Sequence, residues 1–163
     1  MNNSTIVAIA LGSNLGDRDA HLDFAVSRLS QFLSDITVSS RYDTAPVDVV
    51  GDQPTYLNAA LVGGTVLDPH ALLRELQVIE LADGRERPYA NAPRTLDVDL
   101  ILYGQSTVDE QGLVVPHPRF RERAFVLEPL AEIAPDLVDP VTGLTVRALL
   151  ARLGQHPAVP GQS

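Results

Sequence analysis

Apolar and polar positions along this chain repeat with two periods. Ile6–Leu11 is an unbroken apolar run ending at Gly12-Ser13-Asn14, which predicts a buried strand and a turn. From Asp17 to Leu33 the apolar positions Leu22, Ala25, Val26, Leu29, Phe32 and Leu33 form a helical stripe, with acids in the first turn. Ile36–Tyr42 predicts a second strand. Tyr56–Leu67 predicts a third, in which Gly63-Gly64 marks a bulge or bend. Asp68-Pro69 then reads as an N-cap and first helical residue, Leu72, Leu73, Leu76 and Ile79 as the buried stripe, and Gly84 as the stop. Pro93–Gly104 is a fourth strand and Thr107–Pro116 a short hairpin or edge element. Arg119–Ala134 should be cut by Pro129 into short helical pieces, and Thr145–Leu153 closes the chain before a frayed tail over 154–163.

Between these elements lie two turn-rich loops, Thr44–Thr55 (TAPVDVVGDQPT) and Gly84–Pro93 (GRERPYANAP). There are no repeats and no long linker, so residues 1–163 are expected to be one domain. The order of elements is βαββαβ plus a helical appendage. That is the α+β, ferredoxin-like arrangement, an antiparallel sheet with both helices on one face. The fold alone names no function.

Composition removes several classes. The absence of cysteine excludes disulfides and thiolate chemistry. No apolar run approaches the roughly 20 residues of a membrane span, and the start has no basic leader, so no membrane partner and a cytoplasmic location are expected. A net charge of −9 argues against nucleic acid as a partner. Every basic residue is arginine, and Arg85, Arg87, Arg94, Arg119, Arg121 and Arg123 fall in one stretch. A codon bias would explain the missing lysines but not the clustering. A guanidinium fork suits phosphate.

The chemistry concentrates in PRTLDVDLILYG (93–104), where Asp97 and Asp99 interrupt a buried strand. Residues two apart share a face, so the carboxylates lie side by side with Leu96, Val98, Leu100 and Leu102 behind them. Like charges so placed call for a cation, and hard oxygen donors without Cys or His favour Mg²⁺. On two acids alone, a merely solvated face remains an open reading. The surrounding arginines, and His117 held between prolines in VPHPRF, shift the balance towards a polyphosphate ligand, although there is no Walker-type lysine loop. His21 and His70 read as exposed residues near helix starts. Tyr56 and Asn58 alternate onto one face in YLNAA, where they could meet a flat heteroaromatic ligand or equally belong to the core. Phe125 is open in the same way, as core or as a second stacking wall.

ALGSNLGD (10–17), YLNAA (56–60), the GRxR loop (84–87), PRTLDVDLILYG (93–104) and VPHPRFRERAFVLEPLAEIAP (115–135) together resemble the 6-hydroxymethyl-7,8-dihydropterin pyrophosphokinases of folate synthesis. The resemblance runs over nearly the whole chain. It implies a ferredoxin-like fold and transfer of the terminal pyrophosphoryl unit of MgATP to the pterin hydroxymethyl group, releasing AMP. By position, Asp97 and Asp99 match the pair that holds two Mg²⁺. Arg85, Arg94, His117 and Arg123 match phosphate- or nucleotide-contacting positions, and Arg87 the second loop arginine. Glu80 matches a nucleotide-side carboxylate and Leu100 an adenine-side contact. Thr44, Val47, Tyr56, Asn58 and Phe125 match the pterin pocket. Asp97, Asp99, Arg85 and Arg94 are the expected catalytic group, in a monomer whose two loops close over ATP and pterin. One departure stands out: the family often carries Trp-Gly where this chain has Asn91-Ala92. The competing classes are a non-catalytic nucleotide- or metal-binding regulator, which would not need Tyr56, Asn58 and Phe125, and a metal-dependent phosphohydrolase.

Overall fold

The computed structural model of the chain describes residues 4–14, 16–44, 56–84 and 96–155. At its centre is β1 (Thr5–Ser13), flanked antiparallel by β4 (Tyr56–Thr65) and β5 (Asp97–Tyr103). The outer edge of β4 carries two short strands in succession, β2 (Ser34–Val38) and β3 (Tyr42–Thr44). The order β2-β4-β1-β5 is that of a ferredoxin-like sheet.

One face carries α1 (Arg18–Leu29) and α2 (Pro69–Gly84). Their Leu22, Leu29, Leu72 and Leu76 interlock with Val7, Ile9, Leu61 and Leu100. The Asp68 cap is the one the sequence predicts, and Asp17 caps the first helix as well. Asp17 accepts from the Ala20 N–H at 3.0 Å, and Asp68 from the Ala71 N–H at 2.8 Å. The other face is covered by a 3₁₀ turn (Phe120–Glu122), α3 (Ala124–Ile133) and α4 (Val146–Gln155). There Phe120, Leu127, Leu130 and Leu149 pack on Ala8, Ala60, Ile101 and Leu102. The sheet residues on this side include Ala8, Ala10 and Ala60, small enough for helices to approach closely. A hairpin, β6 (Val108–Glu110) with β7 (Leu113–Val115), stands apart from the main sheet.

Several expectations change. The strand foreseen over Ile36–Tyr42 breaks at Ser39, whose hydroxyl accepts the Ala60 N–H at 2.8 Å in place of a ladder carbonyl. The bulge foreseen at Gly63-Gly64 lies instead in the partner strand β2, where Asp35 takes φ 52° and the register slips between Ser34 and Thr37. The glycines are there for closeness: a Cβ on Gly64 would lie 2.9 Å from Ser34 Oγ. Pro129 does not cut α3, because it forfeits one backbone bond while its ring and its neighbours Leu127 and Leu130 are buried. The break comes at Arg123 instead, between the 3₁₀ turn and α3. In β5 the register shifts at Ile101, which has no partner on β1, so Leu102 crosses to the α3 face rather than lying behind the aspartates. Helix α4 runs on through Gln155, so the foreseen tail would begin later; residues 156–163 lie outside the described residues.

Candidate active site

Register places a row of residues across the α3 face of the sheet. Asp97 on β5 lies opposite Gly12 on β1, Gly12 opposite Asn58 on β4, and Asn58 opposite Tyr42 on β3. One step inwards, Asp99 lies opposite Ala10 and Ala10 opposite Ala60. Val98 and Leu100 point into the α1/α2 core, which turns both aspartates to the other side, as the alternation predicts. Residues with almost no side chain separate the carboxylates from Asn58. A Cβ on Gly12 would sit 3.1 Å from Asn58 Oδ1, so the floor of the trough must stay bare. Asp97 to Asn58 is two strand spacings, about 10 Å between backbones.

On one side of the trough Asn58 is buried, at 6% exposure, and its Nδ2 donates to Thr44 Oγ1 at 2.6 Å. That bond turns Oδ1 towards Gly12 as an acceptor. Thr44 lies opposite Tyr56 in the β3–β4 ladder, so three of the expected pocket residues share one corner. Phe125, in the first turn of α3, packs on the α3-side core, and the Arg123 guanidinium lies 5.6 Å over its ring.

On the other side, His117 is half-buried beyond the cis Val115–Pro116 bond, and its backbone N–H is tied to the Ile101 carbonyl at 2.9 Å. Its Nδ1 accepts the Arg119 N–H at 3.1 Å, leaving the proton of a neutral ring on Nε2. Burial pushes its pKa below the usual histidine value; the Asp99 charge opposes this, and the Arg123 and Arg119 charges reinforce it. Glu80, on α2, accepts the Val98 N–H at 2.7 Å and so holds the edge of β5 between the two aspartates. Asp97 and Asp99 present only hard oxygen on a strand backed by core, with the bare Gly12 floor beside them. Mg²⁺ fits that donor set.

A cleft of about 330 Å³ opens between α2, β5 and the β6–β7 hairpin, lined by Leu73, Leu100, Leu113 and Val114 and shared with Asp99 and His117. The sequence reading found Leu100 and His117 but not Leu73 or the hairpin residues. Leu73, counted in the buried stripe of the second helix from the sequence, is only half-buried, and nothing in the apolar periodicity marks it as a cleft residue. Arg121, grouped with the phosphate-facing arginines, is turned away: it binds Asp139 through Nε at 2.5 Å and through a second nitrogen at 2.9 Å. Nor is His21 exposed as foreseen, since its Nδ1 lies 2.8 Å from Asp83 Oδ1. Val47, Arg85, Arg87 and Arg94 lie outside the described residues, as do most of the two loops expected to close.

The 7,8-dihydro-6-hydroxymethylpterin-pyrophosphokinase (HPPK) family matches residues 8–135. The chain belongs to this family. As a member of the HPPK family it is an enzyme, a pyrophosphokinase of folate synthesis. A 2-amino-4-hydroxy-6-hydroxymethyldihydropteridine pyrophosphokinase from Methylorubrum extorquens is 46% identical over 147 residues, 89% of this chain and 91% of that protein. One from Bacillus subtilis is 47% identical over 135 residues, 82% of this chain and 79% of that protein. The folic acid synthesis protein fol1 of Pneumocystis carinii is 39% identical over 94% of this chain, which spans only 21% of that longer protein. In the crystal structure of wild-type Plasmodium falciparum HPPK-DHPS the same fold recurs, with TM-score 0.75 and 15% identity over 97% of this chain and 47% of that one. Among the described residues no helix is long and apolar enough to cross a membrane.

Proposed function

We propose that this chain, acting as a monomer in the cytoplasm, transfers the terminal pyrophosphoryl unit of ATP to the hydroxymethyl group of 6-hydroxymethyl-7,8-dihydropterin and releases AMP. The observation that carries this reading is the Asp97–Gly12–Asn58 row, with carboxylates and the Thr44–Tyr56–Asn58 corner two strands apart on one face.

The pterin ring would lie between Tyr56 and Phe125, with Asn58 Oδ1 accepting from a ring N–H and Thr44 holding the amide in that orientation. Val47 is assigned to the same pocket from its sequence position. This seating points the hydroxymethyl group along the bare Gly12 floor towards Asp97. Its oxygen attacks the β-phosphorus of ATP, the bond from that phosphorus to the α–β bridging oxygen breaks, and AMP leaves with that oxygen while the hydroxyl proton passes to solvent. Asp97 and Asp99 would hold Mg²⁺, two ions in all, which when bound neutralises triphosphate charge and eases loss of the hydroxyl proton.

His117, kept neutral by burial, can donate from Nε2 to a phosphate oxygen, and Arg123 adds a cation beside it. Arg85, Arg87 and Arg94 are assigned to the triphosphate from the sequence. The nucleotide base would occupy the cleft lined by Leu73, Leu100 and Val114. Glu80 would serve the nucleotide side by holding β5 in place.

The test is AMP release from MgATP with and without the pterin, for the native chain and Asp97→Ala. Pterin-dependent AMP that vanishes in the variant supports the reading. ATP binding without AMP would favour a regulatory module, and ADP with phosphate a hydrolase.

A further inference from the structure

Strand β3 has three residues, too few ladder bonds to fix its own position, yet it carries Thr44, the residue that orients Asn58. It is held from both helical layers. On the α1 side Arg18 binds Asp43 at 2.7 Å, and Arg41 binds Asp19 at 2.7 Å and also Asp23. On the α3 side one carboxylate holds it: Glu132 Oε2 accepts from the Ser40 N–H and the Ser40 hydroxyl, each at 2.9 Å, and Oε1 from the Tyr42 hydroxyl at 2.6 Å. Tyr42 lies opposite Asn58. Glu132 also lies seven residues after Phe125 on α3, almost two full turns, so both project from nearly the same side of the helix.

We infer that Glu132 is a positioning residue for the pterin pocket, setting the rotation of α3, and so the Phe125 wall, against the strand edge that carries Thr44, Tyr56 and Asn58. The inference rests on the pterin assignment above. The hydrogen bond from Tyr42 holds the Glu132 carboxyl below its usual range, with the Ser40 N–H and hydroxyl adding to it, and the same bond pushes the Tyr42 phenol up to about 12. Both changes favour the carboxylate–phenol pair. Because Glu132 is exposed, water can take over its partners when it is lost, so the fold should survive and the effect should appear in the pocket.

The experiment titrates 6-hydroxymethylpterin into the native chain, Glu132→Ala, Glu132→Gln and Tyr42→Phe, each saturated with Mg²⁺ and a non-hydrolysable ATP analogue. Analogue affinity and Tm are recorded alongside. Glu132→Ala should weaken pterin about tenfold, the counterpart of losing one hydrogen bond of ordinary net strength, and change analogue affinity by less than about twofold. Glu132→Gln, which keeps an acceptor, should recover part of the loss, and Tyr42→Phe should show a smaller one. Unchanged pterin affinity in Glu132→Ala, or equal weakening of both ligands with a lowered Tm, overturns the positioning role. If the native chain binds no pterin, the pterin assignment itself fails, and this inference with it.

Discussion

Gly12 and Asn58 face each other across β1 and β4 so closely that a Cβ on the glycine would stand 3.1 Å from Asn58 Oδ1. The glycine is kept for the bare floor between amide and carboxylates. Its φ is not in the left-handed region, so a larger residue there meets crowding rather than backbone strain. Gly12→Val should therefore fold, with a Tm within a few degrees of native, while kcat/KM for the pterin falls about 100-fold, as expected when reacting groups are displaced by about 1 Å. A variant that folds and turns over pterin at the native rate would show that the substrate does not lie over Gly12.

Asp99 is exposed on a strand whose opposite face is core. Its removal should cost function and almost no stability. For Asp99→Asn we expect kcat/KM to drop by about 10³, in the range seen when an electrostatic contributor to a transition state is lost. The rise in Tm that Mg²⁺ with an ATP analogue gives the native chain should shrink or vanish, while Tm without ligands stays within about 2 °C. A native-sized ligand-induced rise in the variant would place the metal elsewhere.

Much of the frame was legible because local chemistry and tertiary packing agree in it. Asp68, Pro69 and Gly84 mark the ends of α2 where the structure puts them, and period-2 alternation correctly sets Asp97 and Asp99 opposite Val98. The misreadings fall where a long-range partner decides. Nothing local to Ser39 says that its hydroxyl will take the Ala60 N–H and end a strand, and nothing local to Ile101 says that β1 will leave it unpaired. Pro129 looks like a helix breaker until its ring is seen buried on the second face of the sheet. In the candidate site, the shared face of Asp97 and Asp99 and that of Tyr56 and Asn58 were readable from spacing. The cleft at Leu73 needed the hairpin to be placed, and the withdrawal of Arg121 depends on Asp139, eighteen residues away.

Arg121 and Arg123 stand two apart and should respond in opposite ways to the same change. Arg121→Ala leaves Asp139, which is fully buried, without its guanidinium. It should lower stability by about 3 kcal/mol while the folded fraction keeps native KM for ATP. Arg123→Ala removes a cation whose charge acts on His117. It should leave Tm near native and raise KM for ATP, lower kcat, or both, by about tenfold or more. Urea midpoints and steady-state kinetics on the two variants decide; equal losses of stability and activity in both would contradict the division of roles.

Asp139 gives the fold an identifiable acid-sensitive element. Burial alone would raise its carboxyl, but Arg121, the Thr142 hydroxyl and the Val141 N–H together hold it below the usual aspartate value. A carboxyl whose pKa is lower folded than unfolded binds fewer protons in the native state. Its contribution is therefore complete above the unfolded pKa of about 3.9 and is lost as pH falls through the folded value. Asp139→Asn lacks this contribution at every pH. The native chain should exceed the variant by a constant margin in urea midpoint from about pH 7 to pH 5, and the margin should narrow towards pH 3. The chain's other carboxyls titrate in both proteins and cancel in the difference. A margin that holds steady or widens with acid would mean that the Asp139–Arg121 pair does not carry the linkage.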